Sequence, residues 1–213
     1  MVVGVLETLD EEPQITAGKR AFDVIFGLTL LPVLLPVMAL IGLAILILDG
    51  APVLFVSERM QSRWRSFDLH KFRTMRCCDC DAGVSGGDKE ARITRTGRFL
   101  RRFRLDELPQ IFNVIRGDIS FVGPRPPLRS YVEQFPEVYA EVLRSRPGIT
   151  GLATIVYHRH EERILAACLS AEETHKAYSD RCVPRKAKLD IIYRKNACLS
   201  LDLWLLARTV ARA

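Results

Sequence analysis

Between residues 24 and 48 the chain runs VIFGLTLLPVLLPVMALIGLAILIL without a single charge. A helix of about 20 apolar residues, rising 1.5 Å each, covers the hydrocarbon core of a bilayer, so this run predicts a membrane segment. Pro32 and Pro36 fall inside it. Each removes a backbone donor and crowds the turn before it, which predicts a bend near the middle. Beyond the run the period changes. Residues 51–56 and 67–75 predict two short strands, with Lys71 and Arg73 on one face of the second. Residues 76–89, with three glycines and three aspartates, predict a flexible loop. Phe99, Leu100, Phe103 and Leu105 are apolar anchors among arginines, and a break follows before Asp106. Pro109 suits the first turn of a new helix whose buried stripe is Ile111, Phe112 and Ile115, and Gly117 is placed to end it. A turn at 127 leads into an amphipathic helix from about Pro136; residues 146–151 predict a loop over the site and 156–163 a polar loop or rim.

The basic residues bear on topology. Lys19 and Arg20 precede the apolar run, while Arg59, Arg63, Arg65, Lys71, Arg73 and Arg76 follow it. The positive-inside tendency keeps both ends in the cytoplasm. A straight span cannot satisfy that, whereas a re-entrant helix that bends at the prolines can. A plain single-crossing anchor is the alternative, because proline is common in spanning helices. At the other end, residues 199–213 predict a helix suited either to the membrane interface, with Trp204 at headgroup level, or to the core. Residues 1–16 show no clear period and predict a poorly ordered leader.

A length of 213 residues predicts one soluble domain plus the membrane element, and the formal net charge of +6 favours anionic partners. Nucleic acid, anionic lipid and a phosphorylated substrate all satisfy that condition. No secretory signal opens the chain, so the six cysteines are expected to be reduced thiols. Cys77, Cys78 and Cys80 lack paired zinc-site spacing, and His158 and His160 lack the HExxH spacing, so neither group is expected to bind metal.

The chemistry gathers in residues 94–126. Asp106 and Glu107 follow Arg95, Arg98, Arg101, Arg102 and Arg104. Anionic groups and a divalent cation can meet a carboxylate there, as phosphoryl transfer requires. A helix N-terminus and nearby arginines would keep Asp106 ionised and able to attack phosphorus. A divalent cation bridging diphosphate oxygens needs a hard oxygen ligand, which Glu107 supplies. The bland alternative is a solvated basic helix face.

Taken together, LDELPQIFNVIRGDISFVGPRP, the preceding KFRTM and TRTGRFLRR, the following RPGITGLA, KRxFD at 19–23 and LDxxY at 189–193 resemble the bacterial sugar transferases. These are the monotopic polyprenol-phosphate phosphoglycosyl transferases, and the resemblance runs from Lys19 to the C-terminus. It implies a helix-rich α/β fold with few short strands: a leader at 1–18, a re-entrant helix-break-helix at 19–49 and a cytosolic catalytic domain with interfacial helices at 50–213. It implies that Asp106 is the nucleophile and that Glu107 holds Mg²⁺. It also implies substrate contacts from Lys71, Arg73, Arg101, Pro124, Arg125, Pro126 and Asp190. The implied partners are a UDP-sugar, undecaprenyl or another polyprenol phosphate and the bacterial inner membrane, with no nucleic acid; a homodimer through an apolar helix is compatible. The rival expectation is a membrane-tethered nucleic-acid or regulator-binding module. Ser57, Gln61, Leu35 and Thr154 depart from the usual family pattern.

Overall fold

The computed structural model describes residues 13, 15–76, 84 and 86–211. Helix α1, Ala17–Leu48, begins at Thr16, whose hydroxyl accepts the Lys19 N–H at 3.3 Å. It continues through Pro32 and Pro36, so the prolines do not end it. Only Asp23, Gly27, Met38 and Ile45 of this helix are buried, whereas Ile25, Val33, Leu40 and Ile47 are well exposed. By length and composition it is able to cross a membrane.

After Gly50, at φ 78°, the chain forms an antiparallel hairpin of β1, Leu54–Met60, and β2, Ser66–Phe72. Lys71 lies opposite Phe55 and Arg59 opposite Phe67. Directly opposed residues share a face, so Phe55, Ser57, Arg59, Phe67, Leu69 and Lys71 lie on one side of the hairpin. The strands sit a few residues from their expected bounds. Gln61 is buried, and its side-chain amide donates to the carbonyls of Gly117 and Asp118 at 3.1 and 2.6 Å. Gln61 therefore ties the hairpin to the turn at Gly117 and Asp118.

Helix α2, Arg95–Arg102, starts at Thr94, which accepts the Gly97 N–H at 2.8 Å and donates to Asp49 Oδ2 at 2.9 Å. A short 3₁₀ turn, Leu105–Glu107, precedes α3, Gln110–Arg116, which Gly117 ends at φ 98°. The left-handed conformation is one that glycine adopts without a Cβ penalty. Next come β3, Ser120–Val122; α4, Arg129–Gln134; α5, Pro136–Val142; and β4, Gly148–Thr150. Helices α6, Leu152–Ala166; α7, Ala171–Ala177; α8, Val183–Lys195; and α9, Leu199–Val210, complete the described chain.

Three expectations are corrected here. Residues 146–151 are not a free loop, because β4 pairs in parallel with β3, Ser120 opposite Gly148 and Val122 opposite Thr150. Residues 156–163 are helical within α6, whose buried Ala153, Ile155, Tyr157 and Leu165 face the core. The stretch expected to turn before Pro136 contains α4, held by buried Tyr131 and Val132. The cysteine trio at 77–80 and most of the leader lie outside the described residues, although residues 17–18 of the expected leader are helical.

The β3–β4 contact positions the loop carrying Arg125. A Cβ on Gly123 would stand 2.2 Å from the Arg146 carbonyl oxygen, and one on Gly148 would stand 2.2 Å from the Gly123 nitrogen. Both neighbours are backbone and cannot swing away. Gly123→Ala is therefore expected to destabilise the protein by about 3 kcal/mol, seen as a lower thermal midpoint with the membrane mimetic unchanged.

Buried residues form three clusters. One gathers Met60, Tyr131, Leu143, Tyr157, Tyr178 and Val183. A second joins Leu69, Val114, Ile119, Phe121, Ile155, Tyr193 and Leu205. The third packs Met38 and Ile45 of α1 against Phe72, Leu100 and Ile111. At its other end α1 is held by Arg20, which donates to the Val114 and Ile115 carbonyls at 2.7 Å each. Lys19 pairs with Asp202 of α9 and donates to the Tyr193 hydroxyl at 3.2 Å. Both ends of α1 thus rest on the same body.

Candidate active site

Glu107 is buried and enclosed by three cations from three segments. Lys71, near the end of β2, reaches Oε1 at 2.9 Å, and Arg125, from the loop after β3, reaches the same oxygen at 2.8 Å. Arg104 donates to Oε2 through Nη2 at 2.6 Å and Nε at 3.2 Å. Arg104 has φ 54°, the only positive value outside glycine among the described residues. That conformation costs a bulky residue of order 1–3 kcal/mol. It caps the 3₁₀ turn and brings the guanidinium back onto the carboxylate three residues later. Sequence reasoning counted Arg104 among the upstream arginines but did not place it in the site. Its signal was its position two residues before the dyad.

Burial alone would raise the Glu107 pKa, but the charges of Lys71, Arg125 and Arg104 hold it well below the ordinary glutamate range. Burial lowers the Lys71 pKa despite the attraction of Glu107. Arg125 is raised, chiefly by Glu107.

Asp106 differs from its neighbour. Its carboxylate forms no hydrogen bond or ion pair among the described residues, and the side chain is partly buried. Burial raises its pKa, against the lowering pull of Lys71, while the Glu107 charge adds to the rise and Arg101 and Arg125 oppose it. The expected help to ionisation from a helix dipole and nearby arginines is outweighed, although the direction of the shift leaves the carboxylate able to ionise. The helix begins only at Gln110, and desolvation outweighs the nearby cations.

The remaining expected site residues fall in several places. Arg101 donates to Thr74 Oγ1 at 2.9 Å and Met75 Sδ at 3.0 Å, with its charge acting on Asp106. Pro124 is fully buried, and its carbonyl accepts the Gly148 N–H at 2.8 Å. Pro126 is also buried, so the two prolines fix the loop between which Arg125 projects. Arg73 is not brought to the dyad. Its guanidinium donates to the carbonyls of Ala51, Asp49 and Gly50, at 2.8, 2.7 and 2.5 Å. It thereby clamps the exit of α1.

Arg73→Gln is expected to destabilise the protein by about 3 kcal/mol, since three hydrogen bonds from a charged donor are lost. The thermal midpoint falls while the affinity of the remaining folded protein for inorganic pyrophosphate stays unchanged, which a phosphate-binding role would not permit.

Asp190 is buried on α8 and likewise does not touch the dyad. Burial pushes its pKa up to about 7, with Lys186 opposing and Glu161 adding to the rise. Lys186 donates to both Glu161 oxygens, at 2.9 and 3.1 Å, and to the Tyr178 hydroxyl at 3.2 Å. This group, which sequence reasoning missed, acts electrostatically on Arg125: Glu161 raises its pKa, while Arg125 in turn opposes the rise of Lys186. Tyr193, three residues along from Asp190, turns elsewhere. Its hydroxyl donates to Asp202 at 2.6 Å and lies 3.3 Å from the Val122 carbonyl. His158 pairs with Glu162 at 3.3 Å on the exposed side of α6.

A Mg²⁺ resident on Glu107 does not fit this arrangement. Both Glu107 oxygens are occupied by cations, so a metal ion on this carboxylate would have to displace Lys71, Arg104 or Arg125. Asp106 presents the open carboxylate. Chemically, the site sets an open, partly buried carboxylate beside an ion-paired one, with an excess of positive charge around both.

The sequence profile described as bacterial sugar transferase matches residues 14–213. A UDP-N-acetylgalactosamine-undecaprenyl-phosphate N-acetylgalactosaminephosphotransferase of Aeromonas hydrophila is 32% identical over 90% of this chain and 42% of its own length. An undecaprenyl-phosphate glucose phosphotransferase of Komagataeibacter xylinus is 36% identical over 91% of this chain and 35% of its own length. An uncharacterized sugar transferase of Bacillus subtilis is 36% identical over 91% of this chain and 86% of its own length. The chain thus spans less than half of the first two relatives.

Proposed function

Because the chain belongs to the bacterial sugar transferase family, we propose that it moves a phosphosugar from a UDP-sugar to a polyprenol phosphate, through a covalent intermediate on Asp106. The observation that carries this reading is the contrast within the dyad. Glu107 is neutralised by Lys71, Arg104 and Arg125, whereas Asp106 keeps its oxygens free.

An Asp106 oxygen attacks the β-phosphorus of the donor. The bond from that phosphorus to the bridging oxygen breaks, its electron pair leaves with UMP, and an aspartyl phosphosugar remains. A polyprenol phosphate oxygen then attacks the same phosphorus, and the electron pair of the broken bond returns to the Asp106 carboxylate. Two displacements of this kind make a ping-pong reaction. Lys71 and Arg125 meet the charge that moves between the phosphoryl oxygens and the leaving group. No step is assigned to Mg²⁺, which would arrive with the donor's diphosphate.

Membrane attachment follows from the exposed apolar surface. Beside the bare face of α1, Phe99, Phe103 and Phe112 are exposed, and α9 shows Leu203 and Trp204 while burying Asp202 and Leu205. That segregation unites the two readings of α9, one face in the core and one toward the interface. Because Arg20 and Arg73 fasten opposite ends of α1 to one body, a re-entrant path with both ends in the cytoplasm accounts for the contacts better than a single crossing. A lipid-linked acceptor and a soluble donor would meet at that surface.

The relatives' names include both N-acetylgalactosamine and glucose, so they leave the sugar open. The test is UMP release by nanodisc-held protein given undecaprenyl phosphate, Mg²⁺ and a panel of UDP-sugars. Release from one donor supports the reading and identifies the sugar. No release from any donor, with salt-sensitive binding of RNA or DNA instead, would favour the binding module.

A further inference from the structure

Arg59 is a cation without a counter-ion at the edge of this site. It projects from β1 on the hairpin face that carries Lys71, opposite Phe67. Its Nε is buried and has no hydrogen-bond partner, and the guanidinium makes no hydrogen bond or ion pair among the described residues. The side chain is only partly buried, and its terminal nitrogens are not sealed from solvent.

Its surroundings make this arrangement costly. The charge lies within electrostatic reach of Arg125, Glu107, Tyr131 and Tyr178, and burial with Arg125 lowers the Arg59 pKa to about 10. The carboxylate whose charge reaches Arg59, Glu107, is already shared by Lys71, Arg104 and Arg125. Tyr131 and Tyr178 pack with ring centroids 4.7 Å apart, and Tyr178 receives Lys186, so they supply a firm floor and no negative charge. A partly desolvated guanidinium that feels another's charge, with no anion of its own, raises the free energy of the ligand-free protein. An arriving phosphate relieves that cost, because its oxygens accept the planar pair of N–H donors that a guanidinium presents.

We infer that Arg59 is a phosphate-binding residue of this site, completing with Arg125 a two-guanidinium cradle for a substrate phosphate group. The inference rests on the transferase reading for which phosphate it serves, the donor's diphosphate or the polyprenol phosphate. It does not depend on turnover. Arg73, by contrast, has its guanidinium committed to backbone carbonyls and is not available for such a role.

The experiment is equilibrium titration of nanodisc-held protein with inorganic pyrophosphate, UDP and undecaprenyl phosphate, comparing wild type, Arg59→Gln and Arg59→Lys. Loss of a charge-assisted contact to an anion weakens binding about tenfold to a hundredfold. Arg59→Gln is expected to show that loss with a thermal midpoint equal to or above wild type, and Arg59→Lys to recover part of the affinity. Weakening for UDP and pyrophosphate alone assigns the donor; weakening for undecaprenyl phosphate alone assigns the acceptor. Unchanged affinity for all three in folded Arg59→Gln overturns the inference. If that variant does not fold, Arg59→Lys is decisive: severalfold weaker binding upholds the cradle, and wild-type affinity for all three refutes it. Because binding is read without chemistry, absence of UMP release from every donor would count against the transferase reading and leave this result standing.

Discussion

Replacing Asp106 by asparagine is expected to abolish UMP release while raising the thermal midpoint. The first effect follows from the proposed chemistry: the amide cannot form the acyl phosphate, and loss of a covalent nucleophile costs at least about 10³-fold in turnover. The second follows from the site. Burial raises the Asp106 pKa in the fold, and Lys71 does not offset it. A raised carboxylate pKa means that ionisation disfavours the folded state, a penalty that grows as pH rises through the unfolded value and is complete above the folded one. At neutral pH the asparagine variant escapes it. The same shift moves the acid limb of the wild-type rate profile above the ordinary aspartate range, because only the carboxylate attacks. A structural aspartate would give the opposite pairing, a loss of stability with the loss of rate.

Glu107→Gln is expected to act in the reverse direction on stability. It leaves Lys71, Arg104 and Arg125 facing one another without the carboxylate that joins them. Breaking a buried ionic group by removing one partner costs about 3–5 kcal/mol, or roughly 10 °C in thermal midpoint for a chain of this size. Turnover should fall about 10²-fold as the cations lose their alignment on the transferring phosphoryl group. The pH dependence has a defined sign. Glu107 is held below the usual glutamate range, so its stabilisation is complete above the unfolded pKa and is lost as pH falls through the folded value. Denaturation midpoints of wild type and variant should stay apart near neutral pH and converge in acid. A constant difference throughout would show that the carboxylate's charge is not what holds the three cations.

The legible parts of this protein are those encoded by neighbours in sequence. The uncharged run that became α1, the presence of two short strands after it, Gly117 at the end of α3 and the adjacency of Asp106 and Glu107 were all visible there. So was family membership, because it rests on several ordered motifs. The parts that were not legible depend on distant contacts. Arg73 has the same parity as Lys71 and follows it by two residues, yet it lies past the strand and meets carbonyls at the exit of α1. The upward direction of the Asp106 shift was not legible, because burial, which no local pattern reports, outweighs visible charge. Strands β3 and β4 are only three residues each, too short to show alternation, and their pairing depends on backbone approach at Gly123 and Gly148. Helix α6 was obscured because HRHEER supplies its exposed face, while its core contacts are spread over Ile155, Tyr157 and Leu165. Arg59 had been read only as one of the positive charges following the membrane run, since nothing local shows that it lacks an anion.

The most direct test of the two-displacement account is a single-turnover experiment without acceptor. Nanodisc-held protein is mixed with its UDP-sugar donor and no polyprenol phosphate, then quenched and measured both for UMP and by mass spectrometry of its peptides. The account predicts a burst of UMP no larger than the amount of enzyme, a phosphosugar adduct on the peptide containing Asp106, and loss of that adduct when undecaprenyl phosphate is added. UMP formed only when both substrates are present, with no adduct at any time, would contradict it and require direct transfer between donor and lipid.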